Sequence, residues 1–297
     1  MPRRFNLLQI LKTRLCRAGL TLALLAPLSA QAQTTPERIP SHCLSLARAA
    51  PQEARIIPAA WTDPVRAEAV RISYVDHSMF LLQTPGGLNM MTDYNGFHGN
   101  SGLIPDVVTM NHAHSSHWAP APDPAIPHVL QGWADAQGPA QHALDLGEVL
   151  VRNVPTDIRG RLGTAPVEKD GNSIFIFEMA GLCIGHLGHL HHIPDAEQLA
   201  AIGRLDVVMA PVDGGMTLDL PSMIETLQRF RASVVIPMHW FSEASLQRFT
   251  SGMEDQFDIV RAGMSDLTLT RHSLPGRPTV MVLEPAWLTG PAPSPGD

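Results

Sequence analysis

Residues 107–118 read VVTMNHAHSSHW. A short apolar run of buried-strand type passes directly into three histidines, His112, His114 and His117, within six positions. Such side chains at a strand end belong on the rim of a sheet, where loops gather and distant residues converge. Alternate residues of an extended loop share a face, so the H-x-H pair directs His112 and His114 the same way. Neutral imidazoles are suited to zinc, and three or four suffice to hold one ion.

Two further strand ends repeat the pattern. The hairpin SIFIFEMAGLCIG, turning at Ala180–Gly181, leads into His186, His189, His191 and His192, and the strand ASVVIPMHW ends in His239. His42, His98, His128, His142 and His272 stand apart and read as surface or satisfied core residues. Around these groups the chain alternates between strands and helices. AVRISYV, SMFLLQT and LNMMTDY are strands, with TPGG as the turn between the second and third. Glu148 to Val154 alternates as a strand, and LDVVMAP is another. PDAEQLAAIG is a helix with Asp195 as N-cap, Gln198 three residues on and Gly203 as stop. PSMIETLQRF carries Met223, Ile224, Leu227 and Phe230 on one face. Hairpins and crossovers with helices between them predict an α/β fold of sheets covered by helices.

Residues 1–32 read as an export leader. Arg3, Arg4, Lys12, Arg14 and Arg17 form a basic stretch without acids, AGLTLALLAPLSA is an apolar segment too short to span a bilayer, and AQA closes it as a cleavage site. The expected location is periplasmic or secreted, with no transmembrane segment after cleavage. Losing the five bases of the leader takes the formal net charge from −7 to −12. With no Lys/Arg cluster elsewhere, nucleic acid is an unsuitable partner. Cys16 leaves with the leader. Cys43 and Cys183 remain; they could pair, but Cys183 in AGLCIG reads as a small buried hydrophobe. Residues 33–65 form an N-terminal extension wrapping the domain, 66–290 the domain itself, and 291–297 a disordered tail.

Six stretches, in order from about Ala69 to Trp240, resemble the metallo-β-lactamase superfamily, in the branch of ascorbate-6-phosphate lactonase-like Zn-dependent hydrolases. YVDHSMFLL resembles the branch's opening GHASFLI-type strand, with His77 at its histidine. MMTDYNG resembles its IIDP strand end, with Asp93 at the aspartate. NHAHSSHW resembles the HxHxDH signature, and GNSIFIFEMAGLCIGHLGHLHH resembles the strand pair leading to HLGD. APVDGGMTLDL and VVIPMHW resemble the last two strand ends. The resemblance implies a four-layer αββα sandwich with metal on the rim between two sheets. It implies that His112 and His114 hold a first metal and that His117 and His239 hold a second.

Three of the seven ligand positions depart from that pattern. Ser116 stands where the family has an aspartate, His189 stands at the bridging aspartate, and Thr156 or Asp157 falls near the third histidine. Two cations a few ångströms apart need bridging negative charge, so the set His112, His114, His117, His189 and His239 is expected to hold one ion. Zinc is the expected metal, with iron, manganese or copper as alternatives. Ser116 is either a lost ligand or a hydrogen-bonding group toward water or substrate. Asp213 serves as general base or extra ligand, or else caps the GGM loop. Asp93, His77 and His186 are expected to orient the ligands from behind. The implied activity is that of an exported hydrolase in which metal-activated water attacks an ester, lactone, amide or phosphodiester of a small-molecule substrate. A non-catalytic metal- or ligand-binding protein and a mononuclear redox metalloprotein are the competing readings.

Overall fold

The computed structural model describes residues 41–44, 60–160 and 167–291. The leader, the amphipathic piece around CLSLARAA beyond Leu44, and residues 292–297 lie outside them. Strands β1 (Ala69–Asp76), β2 (Met79–Gln83), β3 (Asn89–Met91), β4 (Val107–Met110) and β5 (His128–Gln131) come first. Then follow β6 (Ala143–Asp145), β7 (Val149–Ile158), β8 (Glu168–Met179) and β9 (Leu182–His186). Helix α1 (Ala196–Ile202), β10 (Val207–Pro211), α2 (Leu220–Phe230) and β11 (Val234–Met238) alternate after them. The chain closes with α3 (Glu243–Met253), β12 (Asp258–Arg261), β13 (Asp266–Thr270) and β14 (Thr279–Val282).

Two sheets result, one ordered β13-β1-β2-β3-β4-β5 and one β12-β14-β11-β10-β9-β8-β7-β6. The central strands of the larger sheet are buried along their whole length because both faces are covered. On β8, Phe175 and Phe177 enter the core between the sheets, with Ile72, Phe80 and Leu82 from the smaller sheet. Ile174 and Ile176, one position out of phase, face the helices instead. There they meet Leu227 and Phe230 of α2 and Leu246 and Phe249 of α3. This is the αββα sandwich, with one departure among the described residues. The outer face of the smaller sheet is covered by loop side chains, Trp61, Tyr94, Leu103, Ile126 and Leu288, rather than by helices.

Local chemistry explains the elements that were legible. The β8–β9 hairpin turns on Ala180 and Gly181, both with positive φ (48° and 72°), the geometry that matches strand twist. Helix α1 has the capping box of Asp195 and Gln198 and ends at Gly203. Residues 60–65 pack against the strands that follow them. Trp61 is buried, its Nε1 donating to Thr289 O at 3.0 Å, and Arg71 beneath it donates to Pro64 O at 3.3 Å.

Cys183 is not simply a small buried hydrophobe: it is bonded to Cys43, with Cα atoms 5.7 Å apart. The buried Glu178 carboxylate brings the segment there, accepting from Ser41 Oγ (2.5 Å), His42 N (2.9 Å) and Cys43 N (3.2 Å). Arg152 Nε, 2.7 Å away, offsets its charge.

Candidate metal centre

The turn between β1 and β2 and the ends of β4, β9 and β11 bring seven imidazoles together: His77, His112, His114, His117, His189, His191 and His239. The 111–118 loop leaves β4 not as an extended segment but as consecutive tight turns, His114 N donating to His112 O (2.8 Å) and His117 N to His114 O (2.7 Å). Those turns still bring all three rings to one side. The ring of His117 lies 5.9 Å from His114, 4.8 Å from His189 and 5.1 Å from His239. His112 lies 5.5 Å from His189. The five expected ligands therefore converge.

Their hydrogen bonds fix what each can offer. Nδ1 of His239 meets Asp213 Oδ2 at 2.9 Å. That carboxylate also accepts from Thr217 Oγ1 (2.6 Å) and, through Oδ1, from the amides of Gly215, Met216 and Thr217. Burial alone would raise the Asp213 pKa, but the donors from His239, Thr217 and the loop outweigh it and hold the carboxyl well below its usual range. So His239 carries its proton on Nδ1 and turns the Nε2 lone pair inward. Nε2 of His117 lies 3.2 Å away, and its own Nδ1 is 2.6 Å from buried Asp93 Oδ2.

Two Nε2 atoms at that spacing, each backed by a carboxylate, suit one cation. Metal–nitrogen bonds of about 2.0–2.1 Å at a tetrahedral angle separate two nitrogens by about 3.4 Å. His77 completes the tightest trio: one ring nitrogen from each of His77, His117 and His239 lies within 4.8 Å of the others. The position expected to support the ligands from behind thus stands among them. Its turn is strained into place, since His77, Asp93 and His239 all have positive φ (46°, 44° and 54°). The amide of His239 donates to His77 O at 2.8 Å and locks the two rim turns together.

The remaining expected residues sort clearly. His112 donates from Nδ1 to Gly171 O (2.7 Å), which keeps its Nε2 as a lone pair. Ser116 Oγ lies 3.1 Å from Nδ1 of His114 and positions that exposed ring. His186 spends both nitrogens, donating from Nε2 to Ser78 O (2.7 Å) and accepting the Gly188 amide at Nδ1 (3.2 Å), so it is a strut. Asp213 caps the loop after β10 and orients His239; with both oxygens taken by donors, it is poorly placed as the expected general base. Thr156 binds Asn172 (2.8 Å), while Asp157 pairs with Lys169 and the Asp170 amide (3.0 Å), so neither replaces the family's third histidine.

Burial, with the neighbouring imidazoles, lowers the pKa of His117 far below its ordinary value and takes His77 to about 3. These groups are neutral when folded and protonate at about 6.5 when unfolded. Their contribution to stability is therefore complete above pH 6.5 and is lost as pH falls from there toward the folded values. Thermal melts of chelator-treated protein should show stability falling below pH 6.5, by up to about 1.4 kcal/mol per pH unit for each deeply buried histidine. A flat profile from pH 7.5 to 4.5 would contradict this burial.

The chain matches a family model described as Beta-lactamase superfamily domain over residues 71–239. It is 22% identical over 191 residues to a UPF0173 metal-dependent hydrolase of Carboxydothermus hydrogenoformans, covering 58% of this chain and 84% of that one. A second such protein, from Methanospirillum hungatei, is 22% identical over 232 residues, covering 73% and 96%. A solved Thermotoga maritima structure, described as a Zn-dependent hydrolase of the metallo-β-lactamase superfamily, aligns with TM-score 0.53 and 25% identity. It covers 72% of this chain and all of that one.

Proposed function

Because the chain belongs to the metallo-β-lactamase superfamily, we propose that it is an exported hydrolase working with one metal ion held by rim histidines. The observation that carries this reading is the pair of Nε2 atoms of His117 and His239, 3.2 Å apart with carboxylates behind both. His77 is the third donor of that set, and His112 and His114 are the adjoining pair. In such a site a bound cation acidifies water and polarises the oxygen of a scissile group. The residues do the rest: Asp93 and Asp213 hold the rings of His117 and His239 in register, and Ser116 Oγ, 3.1 Å from Nδ1 of His114, steadies that ring. Both acids near the rim that could bridge a second cation, Asp213 and Asp157, are engaged elsewhere, which supports a single ion. Imidazole donors suit zinc, and iron or copper fits the same set.

The substrate is a small molecule with an ester, lactone, amide or phosphodiester bond. The order of motifs along the chain supports the lactonase-like branch. Export is supported by the leader-type N-terminus and by the Cys43–Cys183 bond, since such bonds persist in oxidising compartments. Mass spectrometry of the protein recovered from its native envelope or medium should show a chain beginning at about Gln33; retention of residues 1–32 would refute export by cleavage. Elemental analysis should find about one metal per chain. Turnover of generic esters, lactones and phosphodiesters should vanish with chelator and return with zinc. Metal bound without any turnover would instead favour the binding-protein reading.

A further inference from the structure

The hydrogen bonds behind His189 determine which of its ring nitrogens carries the proton. The backbone amide of Arg159, which can only donate, lies 3.2 Å from Nδ1 of His191. That nitrogen is therefore an acceptor, and a neutral His191 carries its hydrogen on Nε2. Nε2 of His191 is 2.7 Å from Nδ1 of His189. The hydrogen between them belongs to His191, so Nδ1 of His189 is also an acceptor. A neutral His189 then has its hydrogen on Nε2.

The backbone of His189 is fixed as firmly, its amide donating to Asn172 Oδ1 at 2.8 Å. Its ring stands in the middle of the cluster, 4.8 Å from His117 and 5.4 Å from His239, at 82° to both. A nitrogen with a hydrogen on it has no lone pair for a cation.

We propose that His189, at the position the family gives to its bridging aspartate, is not a metal ligand but an N–H donor to a substrate oxygen. The chain has exchanged an anion that accepts for a neutral ring that donates. As a hydroxide oxygen, from water that has given a proton to solvent, bonds to the carbon or phosphorus of the scissile group, the π pair of the C=O or P=O bond moves onto the carbonyl or phosphoryl oxygen. Nε2–H of His189 hydrogen-bonds to that oxygen and keeps its proton. When that pair returns, the bond to the leaving oxygen or nitrogen breaks and the leaving group takes a proton from water. Donors fixed in advance at such a position are worth about 10²–10³-fold in kcat. The inference rests on the hydrolase reading for the nature of the acceptor, while the tautomer stands on the hydrogen bonds alone.

The test combines spectroscopy with metal content. Nitrogen-15 NMR of histidine-labelled protein, metal-free and zinc-loaded, should show His189 protonated at Nε2 and unprotonated at Nδ1 in both. His189→Ala should keep the wild-type zinc content and lower kcat about 10²–10³-fold on p-nitrophenyl acetate or bis(p-nitrophenyl) phosphate, with KM little changed. His189→Gln, whose amide N–H reaches the same place, should recover part of that loss. An unprotonated Nε2, or loss of zinc in both His189 variants while circular dichroism stays native, overturns the proposal. If His239→Asn also keeps its zinc, the metal reading itself has failed, and the metal-free spectrum then decides the tautomer on its own.

Discussion

Replacing His239 with asparagine should empty the metal site: elemental analysis should fall from about one ion per chain to background. Asparagine is the informative choice because His239 has φ 54°, a left-handed conformation that asparagine tolerates far better than most side chains. The loss then reports on the imidazole rather than on backbone strain. His239 contributes a lone pair held in direction by a fully bonded Asp213, and no other imidazole has so strong an anion behind it. His117→Ala should have the same effect. Asp213→Asn, which leaves the ring but unfixes its tautomer, should weaken metal affinity about 10–100-fold. His114→Ala should cost less, because its ring is exposed and lies outside the tightest trio. Zinc retained by His239→Asn, with an unchanged zinc-induced rise in melting temperature, would remove the basis of the functional reading.

Breaking the bond between Cys43 and Cys183 should lower stability by about 2–5 kcal/mol. The cysteines are 140 residues apart, so the bond closes a loop large enough for its effect on the unfolded chain to lie near the top of that range. For a domain of this size the shift in Tm is about 5–15 °C. Melting the wild-type protein with and without reductant, beside Cys43→Ala/Cys183→Ala, measures it. Equal melting temperatures in all three would mean that Glu178 and its partners hold the segment without help.

How much of this could be read in the chain depends on how local each signal is. Strands β1 to β4 and β7 to β11 were legible, because strands buried on one or both faces write their apolar pattern directly. Helices α1 and α2 carried their caps. Helix α3 carries a fainter signal, Ser242 as N-cap with Leu246, Phe249 and Met253 on one face. The short strands β5, β6 and β12 to β14 hold only three to five residues each, too few to establish a period. The convergence of His112, His114, His117, His189 and His239 followed from strand ends and motif order. The place of His77 did not, since a turn histidine has no spacing relation to strands more than thirty residues away. Nor did the proton on His189, which is set by an amide thirty residues earlier. The two cysteines allowed a Cys43–Cys183 bond, but what brings them together, the carboxylate of Glu178, leaves no local mark.

The register of β1 against β13, with Ser73 opposite Asp266, joins residues 193 positions apart. Until Asp266 to Thr270 have been made and have arrived, one side of β1 lacks its partner strand, with backbone amides and carbonyls unpaired beside apolar side chains. Long-range closure of this kind slows folding and prolongs the life of collapsed, sticky intermediates. The smaller sheet is thus completed from its far end last, and a chain cut short before Asp266 would present β1 as a template for strand addition by a second molecule.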